Sequence, residues 1–157
     1  MKINRDLKKF KLLHKNKENQ IIYTSKKVKN DYEILNLIDN FLEEKNSFIF
    51  ESVEKGKIKG RYTIFGKNPD KVWEFNNNNS YIIKKNKKVK LRDKPYKLIE
   101  KIIEDFKFKT PKNLPKICSL ISGYFSYDSI RYIEKIPNKC KNDLNLPDVR
   151  LLRPRTL

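Results

Sequence analysis

Apolar residues recur along this chain in two periods, and the change from one to the other marks its organisation. Tyr32, Ile34, Leu35, Ile38, Phe41 and Leu42 fall at helical spacing behind Asn30-Asp31, which offers an N-cap. The stripe predicts a helix ending near Lys45-Asn46, with its apolar face given to a core rather than to a partner groove. Four strand-like stretches follow, at 47–52, 61–65, 71–75 and 80–84. Turn signals separate them: Lys55-Gly56, Gly66-Lys67-Asn68-Pro69-Asp70 and Asn76-Asn77-Asn78-Asn79. The pattern predicts a meander of antiparallel strands. Trp73, in Val72-Trp73-Glu74-Phe75, is expected to be buried against the helix rather than to stack on bases.

The helical period returns after Asp93-Lys94-Pro95, a cap followed by a first-turn proline. Tyr96, Ile99, Ile102, Ile103 and Phe106 give this second long helix its apolar face, and Pro111 and Pro115 punctuate its end. Residues 117–125 read as a further strand, apolar enough to be central in a sheet. A short helical segment from Tyr127 to Lys135 follows, then a polar stretch, then strand-like sequence at 146–152. Residues 1–20 are basic and are expected to be partly extended; Ile21-Ile22-Tyr23-Thr24 reads as a first strand. Together these predict one α+β domain over 21–157 behind a basic segment 1–20, with a largely antiparallel sheet and two main helices.

Composition narrows the function classes. With 37 basic and 19 acidic residues the formal charge is +18, which by itself raises nucleic-acid binding. The basic residues are nearly all lysine, alanine is absent, and there are only 4 glycines. Lys, Asn and Ile have A/T-rich codons, so codon bias explains the excess. Lysine is also the weaker tool for bidentate phosphate or guanine contacts. A basic nucleic-acid-binding module therefore stays an alternative resting on charge alone. Cys118 and Cys140 form no Cys-x-x-Cys pair and His14 is the only histidine, so no metal site is expected. The N-terminus carries no long apolar run and no segment reaches the length of a membrane span, so a cytoplasmic protein is expected.

The chemistry worth attention lies in the first hairpin. Phe48-Ile49-Phe50 ends in Glu51 and Ser52, a carboxylate beside a hydroxyl. Such a pair suits a ligand with an ammonium group and a second polar atom. An exposed strand end leading into a turn is the bland alternative. The acidic pairs Glu43-Glu44 and Glu104-Asp105 sit at adjacent helix positions, which do not face one another, and read as solvated. No catalytic cluster stands out.

Three segments resemble anthranilate synthase component I, in the right order. Phe50-Glu51-Ser52-Val53 leading to Gly60-Arg61-Tyr62-Thr63-Ile64-Phe65-Gly66 is similar to the family's Leu-Leu-Glu-Ser, loop and Gly-Arg-Tyr-Ser-Phe-Ile-Gly. Gly123-Tyr124-Phe125-Ser126-Tyr127-Asp128, with Arg131, Glu134 and Pro137, is similar to Gly-Tyr-x-Gly-Tyr-Asp-x-x-Arg-x-x-Glu-x-x-Pro. Asp143-Leu144-Asn145-Leu146-Pro147-Asp148 is similar to Asp-Asp-Leu-x-x-Pro-Asp. Ser126 replaces the second glycine of the middle motif, which questions how tight that turn is. For Gly123–Glu134 a structural role is expected, with Arg131 paired to Glu134 and with Tyr124 and Tyr127 packed under the sheet.

The resemblance implies the N-terminal, tryptophan-sensing domain of this fold, truncated before the chorismate-binding domain. The chain would then be a truncated gene product, a split subunit or an excised piece. The family converts chorismate and ammonia to anthranilate and pyruvate, the first step of tryptophan biosynthesis. A glutamine amidotransferase subunit, component II, supplies the ammonia. Catalytic residues and Mg2+ belong to the C-terminal domain, so this chain alone is expected to be inactive. Glu51, Ser52 and Val53 are implied to contact the feedback inhibitor L-tryptophan. Arg61, Tyr62 or a nearby lysine would meet its carboxylate. The paralogous aminodeoxychorismate synthase component I of the folate pathway shares this type of domain and is the alternative within the family.

Overall fold

The computed structural model of the chain describes residues 6–42, 44–52, 62–106, 110–137, 139 and 143–157. Among the described residues the regular structure comprises three α-helices and seven strands: α1 Leu7–Lys15, α2 Asp31–Leu42, β1 Phe48–Glu51, β2 Thr63–Gly66, β3 Lys71–Asn76, β4 Asn79–Lys84, β5 Lys87–Leu91, α3 Pro95–Phe106, β6 Ser122–Phe125 and β7 Val149–Arg153. Two 3-10 segments, Lys116–Cys118 and Tyr127–Tyr132, flank β6. Every strand pairing is antiparallel. The fold is the expected α+β class.

The expected meander divides into two sheets. β3, β4 and β5 form one, in the order β5-β4-β3-β7-β6, while β1 and β2 pair only with each other as named strands. The free side of β3 is taken by β7, with Trp73 opposite Leu151 and Phe75 opposite Val149, so β2 cannot join there. The turns are built from asparagine. Asn77 and Asn78, at φ 48° and 60°, link β3 to β4, and Lys85-Asn86, at 47° and 63°, link β4 to β5. Two consecutive left-handed residues match the twist of a tight hairpin. Six of the eight non-glycine residues with positive φ among the described residues are asparagine. In a chain with 4 glycines, asparagine takes the left-handed positions.

The core lies between the larger sheet and α3. Trp73, Phe75, Ile82, Val149 and Leu151 pack with Leu98 and Ile102. Phe75 and Val149 are completely buried, and each such side chain contributes roughly 1.5–3 kcal/mol by leaving water. Trp73 is therefore buried as expected, but α3 belongs to its cluster. The buried stripe of α3 is Pro95, Leu98 and Ile102, while Tyr96 and Ile103 face solvent.

Several expectations need correction. Residues 7–15 form α1, capped by Asp6, whose Oδ1 accepts from the amides of Lys8 and Lys9 at 3.0 and 3.3 Å. Residues 21–24 belong to none of the named strands; Ile21, Ile22, Tyr23 and Thr24 line a cavity instead. β5 was not expected, since its lysines hide it. The run 117–125 divides into the end of a 3-10 segment, an irregular stretch and β6, and β6 lies at the sheet edge rather than its centre.

Candidate functional site

The candidate site sits on the small hairpin. β1 and β2 pair Phe48 with Gly66, Ile49 with Phe65, Phe50 with Ile64 and Glu51 with Thr63. The ladder continues one step further, because the Ser52 amide donates to the Tyr62 carbonyl at 3.2 Å. Glu51 and Ser52 are thus held by main-chain pairing at the end of the hairpin where β1 leads toward β2, and both are exposed. Neither the Glu51 carboxylate nor the Ser52 hydroxyl has a partner among the described residues, so each is available to a ligand. Val53 and Arg61 lie outside the described residues. Toward the opposite end the Phe48 and Phe50 rings lie 5.1 Å apart. Gly66 makes room for Phe48: a Cβ there would come within 2.5 Å of its ring.

A two-stranded hairpin is marginal alone and needs support from outside. Here α2 packs on both strands. Lys67 and Thr156 exchange two main-chain hydrogen bonds of 3.0 and 3.2 Å, and Lys67 Nζ meets Glu44 at 2.7 Å. Arg150 Nη2 donates to Asn46 Oδ1 at 2.6 Å, tying the turn before β1 to the larger sheet. The same guanidinium reaches Glu74 at 2.8 Å, and Lys88 reaches the other Glu74 oxygen at 2.7 Å. Glu74 is only 7% exposed, so these two cations replace the water that it gives up. This cluster is not foreseen from residue type or spacing. Alternation places Glu74 opposite in face to Trp73 and Phe75, but the cations arrive from β5 and β7, whose register is not readable in advance.

The two later motifs meet each other, not the hairpin end. The Ser126 amide donates to the Asp148 carbonyl at 2.8 Å, and the Tyr124 hydroxyl to the Pro147 carbonyl at 3.2 Å. The Tyr132 hydroxyl donates to Asp148 Oδ2 at 2.7 Å, and the same oxygen accepts from the Asn77 amide at 3.0 Å. Asp148 therefore locks the 3-10 segment to the β3–β4 turn. Burial, and then this hydrogen bond, push the Tyr132 phenol far above its ordinary value. Gly123 is fixed by close approach: a Cβ would lie 2.0 Å from the Arg150 carbonyl oxygen. Ser126 sits at φ −74° and ψ 167°, a conformation open to any residue, so replacing glycine there strains nothing. Arg131 pairs with Asp128 at 2.8 Å rather than with Glu134. Three residues per turn stack 128 under 131, and Glu134 follows the segment's end at Tyr132. Tyr124 and Tyr127 are exposed, not packed under the sheet.

Of the acidic pairs, Glu104 and Asp105 are exposed as expected, Glu44 is taken by Lys67, and Glu43 lies outside the described residues. A cavity of about 570 Å3 opens elsewhere, between residues 19–24, the end of α3 and the end of β7. It holds Cys118, whose thiol burial pushes upward, and the Asp70–Arg153 pair, but neither Glu51 nor Ser52. Cys140 lies outside the described residues. Among the described residues no three metal-ligating side chains gather, and no helix is long and apolar enough to cross a membrane.

Fold and site define an α+β domain with an antiparallel sheet and a polar pair presented on a supported hairpin. Similar proteins specify it further. The chain is 30% identical over 142 residues to anthranilate synthase component 1 of Cereibacter sphaeroides, and 35% identical over 138 residues to that of Acetivibrio thermocellus. Both matches cover 87% of this chain and 28% of the relative. Anthranilate synthase alpha subunit 1 of Oryza sativa is 35% identical over 121 residues, 69% of this chain and 21% of the relative. No family model matches. The chain belongs to the anthranilate synthase component I family, as a relative of its N-terminal region. It spans little more than a quarter of the length of the relatives first named.

Proposed function

We propose that this chain is the tryptophan-sensing part of an anthranilate synthase component I, the lyase that opens tryptophan biosynthesis in the cytoplasm. The observation that carries the proposal is the pair Glu51 and Ser52, both exposed, without a side-chain partner among the described residues and held at a defined strand end. The carboxylate would take the amino acid's ammonium group and the hydroxyl a second polar atom, with Val53 beside them. Phe50, nearly half exposed, is available to the indole. Conversion of chorismate and ammonia to anthranilate and pyruvate, with Mg2+, would fall to polypeptide corresponding to the rest of the relatives' length. A glutamine amidotransferase subunit would supply the ammonia. The relatives named above are all anthranilate synthase chains, which favours this over the folate-pathway paralogue. Nucleic-acid binding gains nothing, because Arg131, Arg150 and Arg153 are engaged with Asp128, Glu74 and Asp70.

The test is an NMR titration of the 157-residue chain with L-tryptophan at millimolar concentration. The amides of Glu51 and Ser52 are expected to shift, and Ser52→Ala to reduce the effect. An unperturbed hairpin would overturn the reading. Assayed with chorismate, ammonia and Mg2+, the chain alone is expected to form no anthranilate; turnover would contradict the division of labour.

A further inference from the structure

The hairpin that presents Glu51 and Ser52 is anchored at its far end, and two of its anchors lie on β7 and the chain just beyond it. Among the described residues β1 and β2 pair as strands only with each other. Lys67, directly after β2, exchanges two main-chain hydrogen bonds with Thr156, past the end of β7. Asn46, shortly before β1, accepts from Arg150 Nη2 at 2.6 Å. The other terminal nitrogen of that guanidinium donates to Glu74 Oε1 at 2.8 Å, within the larger sheet. Arginine's planar fork fixes both directions at once. Asn46 is itself left-handed, at φ 64°, a turn conformation that few residues other than glycine take readily. From Asn46 to Ser52 the chain forms a lever of up to about 20 Å, at roughly 3.3 Å per extended residue. A rotation of about 10° at its root moves Ser52 by about 3 Å, several times the roughly 0.5 Å within which a binding group must be held.

We infer that Arg150 is a positioning residue for the ligand-binding hairpin: through Asn46 it sets the angle at which β1 and β2 stand on the five-stranded sheet, and so where Glu51 and Ser52 meet the ligand. Glu74 completes the device. Its carboxylate holds the guanidinium from the sheet side, and Lys88, 2.7 Å from the other oxygen, holds the carboxylate. Arg150 acts through Asn46 and does not itself touch the ligand. Tryptophan as that ligand rests on the function proposed above, whereas the angle of the hairpin does not.

The test compares the full 157-residue chain with three variants. Asn46→Gly keeps the left-handed turn and removes the acceptor. Asn46→Asp keeps an acceptor and tolerates the turn. Arg150→Lys leaves a cation beside Glu74 but puts a point charge in place of the fork. Amide residual dipolar couplings report the orientation of β1 and β2 relative to β3, β4 and β7. Asn46→Gly and Arg150→Lys are expected to change the hairpin couplings as a block while those of the larger sheet stay as they are. Asn46→Asp is expected to match the natural chain. In a titration with L-tryptophan, Asn46→Gly and Arg150→Lys should need about fivefold more ligand for half-saturation, the scale of one lost hydrogen bond. Asn46→Asp should need no more than the natural chain. Natural couplings in Asn46→Gly, or the same change in Asn46→Asp as in Asn46→Gly, would overturn the proposal. Changed couplings with unaltered tryptophan affinity would overturn it too. Absence of any tryptophan response in all four proteins, with the couplings changed as expected, would count against the tryptophan reading alone.

Discussion

The Tyr132 hydroxyl and Asp148 Oδ2 are 2.7 Å apart, and this bond joins two of the three segments that carry the family resemblance. The same carboxylate oxygen holds the Asn77 amide in the β3–β4 turn. One side chain thus fixes a hairpin turn, a 3-10 segment and the start of β7. Tyr132→Phe is expected to lower stability by about 1.5–3 kcal/mol, the scale of a hydrogen bond to a charged acceptor. Chemical denaturation at neutral pH checks it.

The same pair sets an alkaline limit. An unfolded phenol ionises near pH 10, whereas burial and Asp148 keep the folded Tyr132 protonated well beyond that. Above about pH 10 the unfolded state therefore binds fewer protons than the folded one, and stability falls as pH rises. The contribution is fully present below that pH. A denaturation series across the alkaline range should show a downward slope that Tyr132→Phe makes shallower.

Gly123 and Gly66 are expected to respond differently to alanine. At Gly123 the added Cβ meets main chain, the Arg150 carbonyl, which cannot move without parting β6 from β7. At Gly66 it meets side chains, the half-buried Phe48 ring and Pro154, of which the ring can turn aside. Gly123→Ala should cost more than about 2 kcal/mol and Gly66→Ala about 1. Melting of the two variants beside the natural chain decides the order.

Asp70 and Arg153 join the start of β3 to the end of β7 through a two-point contact, with Arg153 Nε 2.7 Å from Asp70 Oδ1. Burial raises the Asp70 carboxyl, but the Arg153 hydrogen bond and charge more than offset it and leave the group below its ordinary value. Stability from this source is present above the unfolded value of about 3.9 and is lost as pH falls through the folded one. Asp70→Asn should cost on the order of 1 kcal/mol at pH 7, since the pair is partly solvated. The difference should shrink in acid, as read from parallel urea curves.

How much of this was legible beforehand depended on whether a signal was local. The helix after Asn30-Asp31, the strands around Trp73 and the asparagine turn all follow from nearby residues, and the structure has them. α1 was missed although Asp6 is an ordinary cap, because its buried face is absent and only the cap betrays it. β5 was missed because an edge strand of lysines has no apolar alternation to show. The place of β6 at an edge and the partner of Arg131 depend on sheet order and on a 3-10 pitch, neither of which residue type dictates. At the candidate site, Glu51 and Ser52 were readable as a polar strand end. Their support runs through the nearby Asn46 to Arg150 and Glu74, residues distant in sequence whose meeting only the fold creates.

The central claim is that Ser52 takes part in holding tryptophan. The most direct measurement is calorimetric titration of L-tryptophan into the chain co-purified with the remaining family polypeptide, natural and Ser52→Ala. Loss of one hydrogen bond inside a closed site predicts affinity about tenfold weaker for the variant, with unchanged melting. Equal affinity in the two proteins, or no heat of binding in either, would contradict the account.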